Sequence, residues 1–319
     1  MKTDYDALLL VSFGGPEGMD DVIPFLENVL RGRNVPRERM LSVAKHYELF
    51  GGVSPINQQN RDLIAALEKE FERAGLQLPI YWGNRNWHPL LPDTLRQMAA
   101  DGIKNALAFV TSAYSSYSSC RQYLQNISDA QAAVGPDAPR VEKLRVFYKH
   151  PLFIEANVDQ IRAVLDQVED PHLVCTAHSI PESMAVNCDY ASQLGQTAAL
   201  IARELPIEKW HLVYQSRSGS PMQPWLGPDV SEHLRMLGAE GVTDVVVAPI
   251  GFVSDHTEVV YDLDVEARRV ADEIGMKMVR AATAGTHPSF VWMIREMVVE
   301  RMKNEVPVNL CAPDCCRIS

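Results

Sequence analysis

Eight short apolar runs, separated by stretches with helical periodicity, constrain the fold of this chain more than any other feature. The runs cover residues 7–13, 79–82, 106–111, 144–148, 173–178, 211–215, 244–250 and 276–280. Their nearly continuous Val, Ile and Leu content is typical of parallel strands buried on both faces. Between them, stretches such as 57–73 place Leu63, Leu67 and Phe71 on one helical face. The alternation predicts an α/β fold with parallel sheets.

The number of strands predicts two doubly wound domains, each with a four-stranded parallel sheet flanked by helices. We place the first domain at residues 1–160 and the second at 161–285, and expect the last helix and tail, 286–319, to return to the first. Single helices are predicted at 118–134 and 257–274. Ligands of such folds bind at the carboxyl ends of strands, so we expect the functional residues in the strand-exit loops.

The charge balance of the chain restricts its partners. The 319 residues carry a formal net charge of −11 and have a sequence pI near 5.3. Such a chain repels nucleic acids and anionic membranes unless its bases form a local patch. The N-terminus predicts a first strand and not a signal peptide, and no apolar run approaches the roughly 20 residues of a membrane span. We therefore expect a cytoplasmic protein without stable membrane insertion and without a nucleic-acid partner.

Two strand exits are rich in glycine or carry a histidine. The first, SFGGPEG from Ser12, lacks the glycine spacing of a phosphate loop, so a tight turn packed against something flat is favoured over a nucleotide site. The second, TAHSIPE, contains His178, which suits either proton transfer and metal binding or a buried structural role. Ser179 and Glu182 have the spacing of a helix capping box.

A third exit, PIGFVSDHTE, leads into a run of acidic residues. Glu258, Asp262 and Glu266 are spaced four residues apart, which aligns three carboxylates on one helix face. This pattern fits either a solvated acidic face or a ladder that relays protons or a divalent cation. Asp255 and His256 at the same exit favour the ladder.

A fourth exit carries Gln215 and leads to Trp225 between prolines. This tryptophan is either a rigid packing corner or one wall of a pocket for an aromatic ligand.

Taken together, these exits resemble the ferrochelatase family, which inserts ferrous iron into a porphyrin. The segments SFGGP, FGGVSPIN, TAHSIP, YQSR…PWLGP and PIGFVSDHTEVVYDLD appear in the family's order over nearly the whole chain. The resemblance implies two Rossmann-like chelatase domains, a porphyrin and Fe2+ as substrates, and transient contacts with neighbouring haem-pathway enzymes. It implies that His178 binds metal or accepts pyrrole protons. Glu258 matches its paired acid, with His256 and Asp262 beside it and Glu266 on the outer acidic ridge.

The resemblance is closest to short, actinobacterial-type members, which generally act on coproporphyrin III. Coproporphyrin III has four propionates, two more than protoporphyrin IX, and these groups would need cationic or hydroxyl partners. Phe13 stands where several members carry a metal-touching tyrosine, and is expected to pack on the ring instead. The expected porphyrin contacts are Phe13, Arg31, Arg33, Ser54, Arg85, Tyr117, Gln215 and Trp225.

The six cysteines include three in the last nine residues, which suggests metal ligation in an intracellular chain. Some family members hold a [2Fe–2S] cluster with three C-terminal cysteines and one upstream, which implies Cys311, Cys315, Cys316 and Cys120 here. Cys188 is the reserve ligand, and Cys175 is expected to be a buried small hydrophobe. A zinc site and a free reducible tail stay open. For the whole protein, the alternatives are a non-catalytic tetrapyrrole or metal carrier and a chelatase for another divalent metal.

Overall fold

The structure is a computed structural model that describes residues 5–32, 35–218, 222–305 and 316. Arg33, Cys311 and Cys315 therefore lie outside the described residues. In this part of the chain the strands are β1 Ala7–Ser12, β2 Ile80–Asn84, β3 Asn105–Val110, β4 Arg140–Lys143, β5 His172–His178, β6 Trp210–Gln215, β7 Asp244–Ala248 and β8 Lys277–Arg280.

The strands alternate with helices along the chain. The α-helices are α1 Met19–Val29, α2 Arg37–Glu48, α3 Ile56–Arg73, α4 Leu91–Ala100, α5 Gln122–Val134, α6 Pro151–Leu165, α7 Glu182–Ala185, α8 Tyr190–Arg203, α9 Val230–Ala239, α10 Thr257–Val260, α11 Arg268–Glu273 and α12 Pro288–Met302. Two π-helical turns, Tyr117–Arg121 and Tyr261–Ala267, precede α5 and α11. No helix in the described ranges combines the length and apolar character that crossing a bilayer requires.

Two parallel sheets confirm the predicted fold class. The strand orders are β2-β1-β3-β4 and β6-β5-β7-β8, and every pairing is parallel. The central strands are inaccessible to solvent because helices cover both sheet faces; all six residues of β1 are buried. The apolar stripe predicted on α3 is also buried.

The described residues group into two compact units, each with one sheet. Of the described residues, unit 1 contains those in 5–111, 122–145 and 294–305, and unit 2 those in 112–121, 146–293 and residue 316. In unit 1 the end of α12 is held by ion pairs of Arg295 with Glu70 at 3.1 Å and of Arg301 with Glu142. All of α6 lies in unit 2. The folding boundaries at residues 160 and 285 stay a prediction.

One predicted strand was wrong, and two predicted helical stretches contain an irregular turn. The fourth strand is β4 and not 144–148: Leu144 donates the last ladder hydrogen bond to Ala108, and Phe147 then packs against Phe153 and Phe290. β4 was missed because it is a half-exposed edge strand with polar residues. The helical stretches predicted at 118–134 and 257–274 are confirmed, and each includes a π-helical turn.

Three stacked histidines lie at the amino-terminal end of the second sheet. His172 Nδ1 and His211 Nε2 are 3.0 Å apart, and the rings of His211 and His233 are 4.5 Å apart between centroids. Burial lowers the pKa of all three, that of His211 to about 4. Neighbouring imidazoles act in the same direction on His211 and His233, and Lys209 does so on His172. We refer to His172, His211 and His233 as the histidine stack; it is uncharged at neutral pH.

Candidate active site

The order of the strands in unit 2 indicates where a ligand would bind. β5 lies between β6 and β7, so the chain changes direction across the sheet between β5 and β7. Open α/β sheets bind ligands at the carboxyl ends of the strands beside such a switch point. The loops that leave β5 and β7 are the ones that carry His178 and Glu258.

The orientation of His178 leaves one ring nitrogen available as a base. Its Nδ1 lies at a short hydrogen-bond distance from the carbonyl oxygen of Ser179. Because a carbonyl only accepts, Nδ1 carries the proton and Nε2 keeps its lone pair. The backbone carbonyl of His178 also accepts a hydrogen bond from Tyr190 Oη at 3.0 Å. Both contacts fix the residue at the end of β5.

Glu258 faces the free nitrogen of His178. His178 Nε2 and Glu258 Oε2 are 3.8 Å apart, and the two side chains are 35% and 45% exposed. This separation is too long for a hydrogen bond but allows both atoms to contact one first-row cation at about 2.1 Å. His256 lies close enough to feel both groups: burial lowers its pKa, the charge of Glu258 opposes this, and His178 adds to it.

Asp262 is the second acid in the row of Glu258, Asp262 and Glu266, which we call the acidic row. It accepts hydrogen bonds from Gln215 Nε2 at 3.3 Å and from the hydroxyl of Ser216. Burial raises its pKa to about 7, and the carboxylates of Glu258 and Glu266 act in the same direction against these two hydrogen bonds. Asp262 is half-buried and Glu266 is exposed, so the row runs from the sheet edge to solvent.

The loop after His178 is built differently from the predicted capping box. α7 begins after Pro181 without a side-chain cap, and Ser179 Oγ donates instead to the carbonyl of Leu226 at 2.7 Å. A bridge between Pro181 and Trp225 joins the two loops. The capping prediction is wrong because the Ser179 hydroxyl finds a partner 47 residues away.

Several buried polar atoms near this edge have no hydrogen-bond partner among the described residues, and Gln215 Oε1 and Trp225 Nε1 are among them. Gln215 is the pairing partner of His178 across β5 and β6. Because buried polar atoms are nearly always satisfied, orphans at a strand exit indicate a place where a ligand binds. Both residues were predicted to contact the porphyrin.

Asp255 does not join the acidic row. Arg280, at the end of β8, binds it through Nη1 at 3.0 Å and binds Asp264 through Nε at 2.7 Å. Sequence reasoning missed Arg280, although an arginine ending an apolar strand was a usable signal. Ser216 was also missed; its φ of 60° is rare for a non-glycine residue.

In unit 1 the exit of β1 carries Phe13 beside a cation. The Arg85 guanidinium lies 5.5 Å from the centroid of the Phe13 ring and 4.6 Å from that of Tyr123. Arg85 Nε also donates to Asn126 Oδ1 at 2.7 Å. The guanidinium is thus held in place between two aromatic rings.

The glycine-rich turn after Phe13 packs closely against its own unit, as the tight-turn interpretation requires. A Cβ on Gly15 would lie 2.6 Å from the Cβ of Ser54, and Ser54 is 3% exposed. Ser54 therefore supports the turn rather than presenting its hydroxyl at the surface. Arg31 is exposed just after α1.

Tyr117 and Cys120 share the first π-helical turn of unit 2. Tyr117 is half-buried and Cys120 is 4% exposed. Cys175, in β5, is fully buried, and burial raises its pKa to about 12, as expected for a small hydrophobic residue. Within the described ranges, no three or more His, Cys, Asp or Glu side chains are arranged to hold a metal ion.

Comparison with known proteins places these features in one family. A family model described as Ferrochelatase matches residues 5–302. A ferrochelatase of Rhodopirellula baltica is 55% identical over 98% of this chain and 93% of its own length. Proteins named coproporphyrin III ferrochelatase from Streptomyces griseus and Nocardia farcinica are 51% and 48% identical. Those alignments cover 94% and 98% of this chain, and 86% and 96% of the relatives.

Solved structures support the same fold at low sequence identity. SirB from Bacillus subtilis with Fe3+ superposes with a TM-score of 0.60 at 11% identity, covering 95% of this chain and 99% of SirB. CbiX, described as the terminal enzyme of sirohaem biosynthesis in denitrifying bacteria, has a TM-score of 0.53 at 13% identity, covering 94% of this chain and 100% of CbiX. These similarities concern the two-sheet chelatase architecture alone.

Proposed function

Because this chain belongs to the ferrochelatase family and is a porphyrin metal chelatase that inserts iron, we propose that its porphyrin is coproporphyrin III and its product coproheme. Several relatives near 50% identity carry this substrate in their names. The fixed cation of Arg85 beside Phe13 also supports the proposal, because the additional propionates need such a partner.

The observation that carries the site assignment is the free Nε2 of His178 opposite Glu258. Two pyrrole N–H protons leave the porphyrin as iron enters. His178 Nε2 has one lone pair, so it accepts one proton at a time and passes each to solvent, to which its side chain is 35% exposed. Glu258 contacts the incoming Fe2+, while Asp262 and Glu266 form its outer path. The half-exposed carboxylate of Glu258 suits a metal that is handed on, because a closed set of ligands would retain it.

The porphyrin contacts are proposed residue by residue from the resemblance of the sequence to the family. Phe13 packs on the ring, Trp225 and Tyr117 line its pocket, and Gln215 offers its orphan oxygen. Arg31 and Arg85 meet propionates, and Arg33 stays in the proposal from the sequence alone. We also propose that the enzyme works in the cytoplasm beside other haem-pathway enzymes.

The substrate is tested optically. Purified protein mixed anaerobically with Fe2+ and coproporphyrin III should shift the Soret and Q bands faster than the uncatalysed reaction. A parallel series with protoporphyrin IX should give a lower kcat/KM, and an equal or higher value would refute coproporphyrin III.

The site is tested by substitution. His178→Ala and Glu258→Gln should each lower kcat by about 10²–10⁴-fold, the usual contribution of a positioned proton-transfer group. Glu273→Gln, an exposed carboxylate on α11, serves as the control and should keep full activity. Full activity in His178→Ala would remove the proposed base.

We further propose that Cys120, Cys311, Cys315 and Cys316 hold a [2Fe–2S] cluster. Cys120 and Cys316 support this because both are buried, 4% and 3% exposed, and both belong to unit 2. Cluster ligation uses four thiolates, and buried thiols protect it from solvent. When bound, the cluster supplies one-electron redox chemistry and a cross-link between Cys120 and the C-terminal segment.

Cluster ligation has a spectroscopic readout that does not depend on activity. Anaerobic reconstitution with iron and sulfide should give a brown protein with two irons per chain and visible cluster bands. Cys120→Ser should lose these bands and Cys188→Ser should keep them. A colourless iron-replete protein, or bands lost only in Cys188→Ser, would refute this ligand set, and bound zinc would favour the zinc alternative.

A further inference from the structure

The segment from Asp255 to Glu266 carries the site's acids in a helical stretch with irregular hydrogen bonding. The four residues of α10 begin after His256, which makes no side-chain cap. They run directly into the seven-residue π-helical turn and then into α11. Because a π-helical turn is rarely stable by itself, contacts from elsewhere in unit 2 contribute to where these acids lie.

Arg280 makes contacts of this kind at both ends of the segment. Its Nε and Nη2 bind Asp264 Oδ1 and Oδ2 at 2.7 and 2.9 Å. Its Nη1 and Nη2 bind Asp255 Oδ1 and Oδ2 at 3.0 and 3.3 Å. One guanidinium thus holds two carboxylates with two oxygens each, which the single nitrogen of a lysine cannot do.

The anchor itself is rigid. Arg280 pairs with Val247 in the sheet, and its side chain is only 16% exposed, as is that of Asp255. A second arginine, Arg268, donates to the carbonyl of Met278 in the same strand. The π-helical turn and the β7 exit are therefore tied to β8 and not only to each other.

The two aspartates that Arg280 binds lie close in sequence to the acids proposed to contact Fe2+. Asp255 precedes Glu258 by three residues, and Asp264 follows Asp262 by two. Two residues along a helical turn point to nearly opposite sides, so Arg280 holds one side of the turn while Asp262 faces Gln215 and Ser216 on the other.

We propose that Arg280 is a positioning residue for metal insertion: by binding Asp255 and Asp264 together, it sets the location of Glu258 and Asp262 for the incoming Fe2+. This inference rests on the proposed roles of those two acids. Arg280 acts through the aspartates and does not touch the porphyrin, so its loss should affect the use of metal and leave porphyrin binding intact.

The test separates metal use from porphyrin binding. Arg280→Met, Arg280→Lys and Asp264→Asn are compared with wild type for Fe2+-dependent kcat/KM, for coproporphyrin III affinity by fluorescence quenching, and for thermal unfolding. Residues that orient a metal's ligands typically change metal affinity or activity by about 10–100-fold, and we expect a loss in that range for Arg280→Met. Arg280→Lys and Asp264→Asn should fall in between, with porphyrin affinity unchanged in all three.

Arg235→Met is the matched control. Arg235 also pairs with an acid of the same unit, Glu273 at 3.6 Å, but both side chains are about half exposed. It should match wild type in every measurement. If Arg280→Met does not fold, Arg280→Lys and Asp264→Asn decide the question, since each retains part of the contact.

Two results would overturn the inference. One is wild-type kcat/KM for Fe2+ in the folded Arg280 and Asp264 variants. The other is a porphyrin affinity that falls as much as metal use does. Glu258→Gln, measured alongside, distinguishes the cases: full activity there removes the proposed acid itself, whereas inactivity there with normal Arg280 variants removes only the role of Arg280.

Discussion

Replacing Gly251 with alanine should push apart the two segments that carry His178 and Glu258. Gly251 lies in the turn after β7, where its N–H donates to the carbonyl of Thr176 at 2.9 Å. A Cβ on Gly251 would lie 2.5 Å from the Cβ and 2.6 Å from the Cα of Ala177. Ala177 is fully buried in β5, so neither atom can rotate away.

The size of the effect follows from these distances. Carbon atoms in ordinary contact are about 3.5 Å apart, so the turn must withdraw by about 1 Å. The 3.8 Å between His178 Nε2 and Glu258 Oε2 should then widen. Overpacking of this kind costs about 1–3 kcal/mol of unfolding free energy, and a misplacement of about 1 Å can lower the rate about 100-fold.

The assay combines anaerobic iron insertion, followed at the Soret band, with urea unfolding. Gly195→Ala is the control: it lies inside α8 with nothing within 4 Å of the added Cβ. The control should stabilise the protein by about 0.5–1 kcal/mol and leave activity unchanged. Wild-type activity and stability in Gly251→Ala, or an equal loss in Gly195→Ala, would refute the reasoning.

Two further predictions concern stability in the two units. The histidine stack is neutral in the folded protein with lowered pKa values, so its contribution is complete above an unfolded-state pKa of about 6.5 and is lost as the pH falls below it, for His211 toward a folded-state pKa of about 4. His233→Leu should therefore lose less stability than wild type between these pH values in urea unfolding; an unchanged pH dependence would contradict this. In unit 1, Arg301→Ala leaves Glu142, whose side chain is 10% exposed, without its cation and should cost about 3 kcal/mol. Arg96→Ala, which breaks an exposed pair, should cost less than about 1 kcal/mol by the same method, and equal losses would show that burial does not matter here.

Much of the fold was predictable because burial leaves a periodic pattern in the chain. Seven of the eight strands were found from continuous apolar runs, and the exception, β4, is a half-exposed edge strand. The predicted helices at 118–134 and 257–274 were found as helical regions, but their π-helical turns were missed. A π-helical turn changes the hydrogen-bond partner by one residue and leaves the hydrophobic spacing almost unchanged.

The candidate site was predicted to a different degree at each strand exit. His178 was predicted because it directly follows an apolar strand, and Glu258 and Asp262 because their four-residue spacing aligns carboxylates on one helix face. Asp255 was grouped with them because it lies at the same strand exit, yet it binds Arg280, 25 residues further along the chain. Ser54 was predicted as a hydroxyl contact of the porphyrin; it is 3% exposed and packs against Gly15, and its contact with the porphyrin stays a prediction.

By itself, the sequence determined the fold class, the strand exits that carry chemistry and the resemblance to a family of chelatases. Only the tertiary structure decided which exits are neighbours: the order β6-β5-β7-β8 brings the ends of β5 and β7 together and leaves β8 to supply Arg280. The physical reason is that hydrophobic periodicity records whether a residue is buried. Hydrogen bonds and ion pairs depend on which distant segment lies beside it, and sheet order alone determines that.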